Sequence, residues 1–271
     1  RSDLTNVNFT DSIINNTDFG DCGITNEQLY STASYKNKDL AGVSLSTLTE
    51  CNLEGQNLTN ANISGVLSDV SFCDSNLTGA ILSNSEIESA DFTNAIIKNV
   101  TLGSAIKNGF TKEMLYSTAS YKNKDLGSIS FYGGDNILGW NLSGQNLQNA
   151  NFNSVDLENV DLAGADLRGA EMSSVKGDFI LKNTIMSDGY ISNFSMTSSE
   201  DNLFIRKYTP IASASSSNIE TIFDKSVSIS GGASVVICQG ASVEIEEDVY
   251  ITVENGGNLK IQTDVDSSTL V

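Results

Sequence analysis

The sequence predicts an all-β solenoid, and three observations carry that prediction. Bulky apolar residues recur at every fifth position through most of residues 1–175. A twelve-residue phrase, LYSTASYKNKDL, stands without a difference at 29–40 and again at 115–126. From Val227 onward a separate rhythm of eight takes over.

Leu4, Phe9, Ile14, Phe19 and Ile24 open the series of fives. Leu53, Leu58 and Ile63 resume it after the first phrase, and Phe72 to Leu102 continue it unbroken. Leu142, Leu147, Phe152, Leu157, Leu162, Leu167 and Met172 close it. Two positions before each large residue stands a compact one, as Ala80 before Leu82 or Ala95 before Ile97. A helix repeats at about 3.6 residues and a strand at about 2, so neither writes fives. A chain that turns a corner every five residues does, with one large and one compact side chain pointing inward per corner. The residue between them is usually Asn or Asp, placed outward where a short polar side chain can bond the turning backbone. Coils of this kind bury a continuous apolar column only by stacking.

Runs such as NANFNSVDLENVDLAGADLRGAEM (149–172) resemble the pentapeptide-repeat proteins. The resemblance covers most of residues 1–175. It implies a right-handed quadrilateral β-helix with four pentapeptides per coil and the inward positions assigned above.

The repeated phrase reads as a helical insert, near 25–36 and again near 111–122. Thr25 with Gln28 three residues on forms a capping box, and Leu29 and Ala33 share a helical face. The second copy keeps Thr111 but has Met114 in place of the glutamine, so its cap is weaker. Lys36 and Lys38, like Lys122 and Lys124, fall at the C-terminal end, where cations complement the helix dipole. NLEGQNLTNAN (52–62) then matches NLSGQNLQNAN (141–151), now 89 residues apart instead of 86, because three residues were inserted. A larger repeat of roughly 86 residues is therefore predicted: one helix, then about three coils.

Residues 176–225 hold the only proline, Pro210, and the stretch SASSSN (213–218), and read as an irregular connector. Residues 226–271 form a β-rich module. Val227, Val235, Val243, Ile251 and Leu259 are spaced by eight, as are Ile229, Ile237, Ile245, Val253 and Ile261. Turn residues Gly231-Gly232, Gly240, Asp248 and Asn255-Gly256-Gly257 separate the pairs. A second solenoid-like segment or an antiparallel meander both satisfy this pattern.

Composition narrows the function classes. The net charge is −19, with 34 acidic against 15 basic residues, and no segment is basic. Direct nucleic-acid binding is therefore not expected. No apolar run approaches membrane-spanning length, so no membrane insertion is expected. Histidine is absent, which removes imidazole-based catalysis and metal ligation. Cys22, Cys51, Cys73 and Cys238 are scattered, with no zinc or disulfide spacing; Cys22 and Cys51 fall on compact inward positions. Glu244, Glu246, Glu247 and Asp248 cluster, but without a calcium-loop pattern, and read as a solvated turn, as do Asp264 and Asp266. Asn8, Asn15, Asn57, Asn62, Asn76, Asn99, Asn141 and Asn193 begin glycosylation sequons that the five-residue pattern writes of itself. Arg206-Lys207 is the one adjacent basic pair outside the phrase that includes an arginine, and nothing converges on it.

No catalytic, cofactor-binding or metal-binding residue is assigned, and no enzyme activity or cofactor is expected. The expected function is a non-catalytic structural or interaction module: a rigid acidic rod with a protein partner, open to end-to-end association. Arg1 already lies within a repeat, so a longer bacterial parent protein is expected, secreted or at the cell surface rather than cytoplasmic. The family resemblance implies an alternative, since some members imitate B-form DNA and bind DNA gyrase in its place. A second alternative is binding of a surface polymer or carbohydrate, for which Phe131, Tyr132 and Trp140 in FYGGDNILGW are the aromatic candidates.

Overall fold

The computed structural model describes residues 3–20, 22–192, 195–196, 202–206, 221–223, 225–238, 241–245, 247–254 and 256–261. The chain forms two compact units: residues 1–137, 151–156 and 172–176 in one, and 138–150, 157–171 and 177–271 in the other.

Within the first unit, successive coils pair in parallel along four rows. One runs through Asp18, Ser44, Asn62, Ile81, Thr101, Ser130 and Asn151. A second joins Asp39, Asn57, Asn76 and Ile96, and a third joins Asn52, Ser71 and Asp91. On the fourth side β1 (Ser44–Thr49), β2 (Asn62–Ser68) and β3 (Glu86–Glu88) pair with Leu48, Leu67 and Ile87 in register. This is a quadrilateral β-helix. The inward pairs, such as Cys51 with Leu53, Ala61 with Ile63 and Val70 with Phe72, are buried. Phe72 stacks on Phe92 at 5.0 Å between ring centroids, and Phe92 meets Phe110 edge-on at 5.2 Å, so aromatic rings continue the column from coil to coil. The corner falls two residues after the large inward side chain and takes a left-handed backbone, as at Asn60 (φ 56), Asp74 (φ 55) and Asn99 (φ 57). Asn and Asp enter that region at lower cost than other side chains, which explains their place in the repeat.

Each helical insert replaces one side of a coil. α1 (Asn26–Ser31) starts at Thr25, whose hydroxyl accepts the Gln28 N–H at 3.2 Å while Gln28 Oε1 accepts the Thr25 N–H at 3.0 Å. It stops at Thr32, which is extended (φ −68, ψ 152) and caps α2 (Ala33–Lys36) by accepting the Tyr35 N–H. α3 (Lys112–Ser117) and α4 (Ala119–Lys122) repeat this around Thr118 with the same backbone angles. The one short helix expected at each copy is thus two, split by a threonine whose hydroxyl serves as an N-cap. Thr111 accepts the Met114 N–H at 3.3 Å, and Met114 offers no amide oxygen to complete the box.

In the second unit the rows Asn141–Asp161–Ile180 and Asn146–Asp166–Ile185 continue the quadrilateral pattern. Beyond them lie β4 (Ser195–Met196), β5 (Asn202–Ile205), β6 (Thr221–Phe223), β7 (Val227–Ile229), β8 (Ser234–Ile237), β9 (Val243–Ile245), β10 (Ile251–Val253) and β11 (Asn258–Ile261). They form three parallel sheets, ordered β10-β7-β4, β11-β8-β5 and β6-β9. Val227 pairs with Ile251 and Val235 with Leu259, 24 residues apart. Each step of eight is therefore one side of a three-sided coil, and residues eight apart lie on different sheets. Every pairing is parallel, which removes the antiparallel meander. Leu203, Ile205, Phe223, Val227, Ile229 and Val235 are its buried core.

Residues 176–225 depart from the irregular connector read from the sequence. Lys176, Ile180 and Ile185 still pair with the rows before them, and β4, β5 and β6 are strands of the three-sided coil. These strands are short and lack the eight-residue spacing, which hid them. Pro210 and residues 213–218 lie outside the described residues.

Candidate interaction surface

The outward polar residues are committed to their own backbone. The side-chain oxygen of Asn8 accepts the N–H of Thr10 at 2.9 Å, Asn52 that of Glu54 at 2.9 Å, and Asp91 that of Thr93 at 2.8 Å. Where a threonine or serine follows by two, its hydroxyl donates to the same oxygen, at 2.6 Å for Thr59 to Asn57, Thr78 to Asn76 and Ser143 to Asn141. The sequon pattern is this doubly bonded turn.

The inserts carry the largest concentrated surface feature. The rings of Tyr30 and Tyr35 lie 4.6 Å apart, and those of Tyr116 and Tyr121 4.4 Å. A coil side next to a helix lacks a strand to pair with. The two tyrosines fill that role: the Tyr30 hydroxyl accepts the Asn52 N–H at 2.7 Å, and the Tyr35 hydroxyl donates to the Asn52 carbonyl at 2.8 Å. Burial pushes the Tyr30 hydroxyl up to about 12 and raises Tyr35 as well. The lysines of the phrase also serve neighbours. Lys36 pairs with Asp11 at 2.7 Å, Lys122 donates to Asn94 Oδ1 at 2.9 Å, Lys38 donates to the Glu54 carbonyl, and Lys124 lies 5.4 Å over the Tyr121 ring.

A third feature arises where the second large repeat is longer than the first. Asp18 corresponds to Thr101, 83 residues on, whereas Ser44 corresponds to Ser130, 86 on, and Asn52 to Asn141, 89 on. Two three-residue expansions account for the drift. One swells the turn 103–110, the other the loop 132–137. The turn meets β3 through one ladder bond, Ile87 N–H to the Asn108 carbonyl at 2.8 Å. Beside it opens a groove of about 430 Å³ lined by Val66, Glu86, Glu88, Lys107, Asn108 and Gly109. Two exposed carboxylates over an exposed valine suit a basic or amide-bearing side chain, and nothing there supplies a nucleophile or a general base. The spacing drift is the only sign of this groove in the sequence.

The remaining sequence candidates fall apart from one another. Cys51 is buried, Cys22, Cys73 and Cys238 are half-buried, and all four are free thiols. Burial raises the thiols of Cys51, Cys73 and Cys238, with Asp74 adding to the effect at Cys73, and a raised thiol is a poorer nucleophile. Glu244 is exposed on β9, while Glu247 and Asp248 sit in an exposed turn; Glu246, Asp264 and Asp266 lie outside the described residues. Arg206 rests on the Phe204 ring at 5.0 Å, and Lys207 lies outside the described residues. Phe131 and Trp140 are buried, which leaves Tyr132 alone of the three carbohydrate-stacking candidates on the surface. Among the described residues no three acidic or cysteine side chains gather as metal ligands, and no helix is long and apolar enough to cross a membrane.

Two groups gave no warning in the sequence. Asp135 is fully buried in the expanded loop, and Asp166 and Arg168, both at nominally outward positions, are buried together.

Comparisons with known proteins agree with this geometry. The family model described as pentapeptide repeats matches residues 39–66, 66–103 and 141–173. No curated protein matches the chain as a relative. Among solved structures, the chain is similar to HetL, a pentapeptide-repeat protein involved in heterocyst differentiation regulation from the cyanobacterium Nostoc sp. strain PCC 7120. The identity is 21%, covering 68% of this chain and 78% of that one, with a TM-score of 0.32. The pentapeptide-repeat protein Rfr23 from the cyanobacterium Cyanothece 51142 is 20% identical over 59% of this chain and 97% of its own, with a TM-score of 0.20. QnrB1, a plasmid-mediated fluoroquinolone resistance protein, is 18% identical over 63% of this chain and 84% of its own, with a TM-score of 0.27.

Proposed function

Since this chain is a pentapeptide-repeat protein, its repeats matching at residues 39–103 and 141–173, we propose that it works as a non-catalytic interaction module whose partner is another protein. The observation that carries this reading is the use to which the outward polar side chains are put. Row after row, their oxygens close turns of the coil, and the surface is left with carboxylates, two identical tyrosine-lysine inserts and one groove. Such a surface offers recognition without chemistry. The partner-facing region we favour is the side bearing Glu86, Glu88 and Lys107, where the regular pairing of the coils is interrupted. We place the protein in the envelope or outside the cell.

The test is chemical cross-linking of the intact chain in fractions of its source organism, with the cross-linked lysines identified by mass spectrometry. The reading expects one recurring protein linked through Lys107, in the envelope or the medium. Detection in the cytoplasm alone would overturn the placement, and links scattered evenly over all exposed lysines would overturn the interaction surface.

A second reading draws on the net charge of −19. A uniformly acidic coil can present carboxylates where a nucleic-acid-binding protein expects phosphates. It predicts inhibition of DNA supercoiling by gyrase at micromolar chain, relieved by added salt. No inhibition at any salt concentration would dismiss it.

A further inference from the structure

Asp135 has no role in the interaction surface, yet its side chain is entirely buried. The loop that carries it is fastened to the turn 103–110 from both directions. Asp135 Oδ2 accepts the Ser104 N–H at 3.0 Å, and Lys107 Nζ reaches back to the Gly133 carbonyl at 3.4 Å. The Tyr132 ring lies against Gly103 so closely that a methyl group there would strike it. Gly133 (φ 105) and Gly134 (φ 77) give the loop a backbone that can swing. The second oxygen, Asp135 Oδ1, has no hydrogen-bond partner. The arrangement is a clasp with one costly component, a buried carboxylate oxygen without a donor.

We propose that Asp135 is a proton-governed latch, seating the loop 132–136 on the turn 103–110 more firmly when its carboxyl is protonated than when it is ionised. Ionised, Oδ1 carries charge into a site that solvates only its twin. Protonated, it is a neutral hydroxyl with a smaller desolvation cost, while Oδ2 still accepts from Ser104. The charged group facing it is Lys107, which favours the ionised form but also holds the Gly133 carbonyl. Burial outweighs it: the Asp135 carboxyl is raised above the usual aspartate range, against the pull of the Ser104 and Lys107 N–H groups and the Lys107 ammonium. The sign then follows by linkage. A carboxyl raised in the closed loop relative to the open one favours closure below its closed-loop value, and that advantage is lost as pH rises through it.

The experiment is amide hydrogen exchange of the intact chain between about pH 4 and pH 8, corrected for intrinsic exchange chemistry, in peptides spanning 103–110 and 131–137. The expected result is corrected exchange that rises several-fold with pH in these two peptides and stays level in Asp135→Asn, which keeps an acceptor for Ser104 and cannot ionise. The same rise in Asp135→Asn, a flat profile in the unmodified chain, or exchange that falls with pH would each overturn the latch. Should Asp135→Asn not fold, the Ser104 amide resonance of the unmodified chain is titrated instead. An inflection above the ordinary aspartate range supports the proposal, and its absence refutes it.

Discussion

The carboxylate of Asp166 and the guanidinium of Arg168, two residues apart, meet at 2.7 Å and 3.0 Å with neither side chain more than 1% exposed. Gln148 donates to the same carboxylate at 2.7 Å, and the guanidinium also donates to the Arg206 carbonyl. Every partner belongs to the second unit, so the pair ties its quadrilateral rows to the strand segment ending at Arg206. Removing one member strands a buried charge, whereas removing both does not. Arg168→Ala should therefore cost about 3–5 kcal/mol, and the double change Asp166→Leu with Arg168→Met markedly less. Urea unfolding followed by the fluorescence of Trp140 measures both. A loss below about 1 kcal/mol in the single variant would show the pair to be solvated.

Ser34 and Ser120 occupy the same place in the two copies of the phrase. Each hydroxyl accepts a backbone N–H at 2.9 Å, from Ile14 and from Ile97, where a coil would have supplied a carbonyl. Both serines are buried. Ser34→Ala and Ser120→Ala should each cost about 1–3 kcal/mol, the penalty for orphaning a buried donor. Thermal unfolding of the two variants is the check. Equal losses are expected, and a neutral Ser120→Ala would mean that the second insert is held in some other way.

Much of this fold was written in sequence spacing. Fives appear as inward pairs because Leu58, Leu77 and their like return to the same column once per coil. The outward Asn and Asp were legible because their chemistry is local: an oxygen bonds an N–H two residues ahead. The rhythm of eight exposed the strands but not their neighbours, since Val227 pairs 24 residues on rather than eight. Thr32 was read as an interior helical residue because pattern alone does not reveal that its hydroxyl starts a second helix. Asp166 and Arg168 could not be read at all. Their burial depends on Arg206, 38 residues beyond Arg168, and a periodic sequence marks both as outward. The groove beside Glu86 was visible only as a drift of three residues in repeat spacing, which names a place without its chemistry.

Tyr30 sets the behaviour in alkali. Burial holds its hydroxyl near 12 in the folded chain, against an ordinary value of 10.0. The unfolded chain therefore releases this proton first as pH rises. Stability from the clamp on Asn52 is fully present below about pH 10 and is lost as pH climbs toward about 12. Tyr30→Phe removes both the clamp and the titration. It should be less stable at neutral pH, with a shallower decline between about pH 10 and 12, followed by circular dichroism in urea. An unchanged alkaline slope would place the loss elsewhere.

Gly109 is where the groove is most sensitive to a single methyl group. Its backbone stands at φ 111, outside the reach of most side chains, and a Cβ built there would collide with the carbonyl of Ile87, the residue whose N–H bonds Asn108. A backbone atom cannot step aside as a flexible side chain would. Gly109→Ala must therefore push the turn 103–110 away from β3, at a cost of about 2 kcal/mol or more. Gly139 provides the comparison. It has φ 66 with open space around it, and Asn60 and Asn99 hold the same left-handed corner without glycine. Gly139→Asn should change stability by less than about 0.5 kcal/mol. If partner cross-links through Lys107 survive Gly109→Ala, the groove is not the recognition surface; if they vanish there and persist in Gly139→Asn, the turn's seat on β3 is what the partner reads.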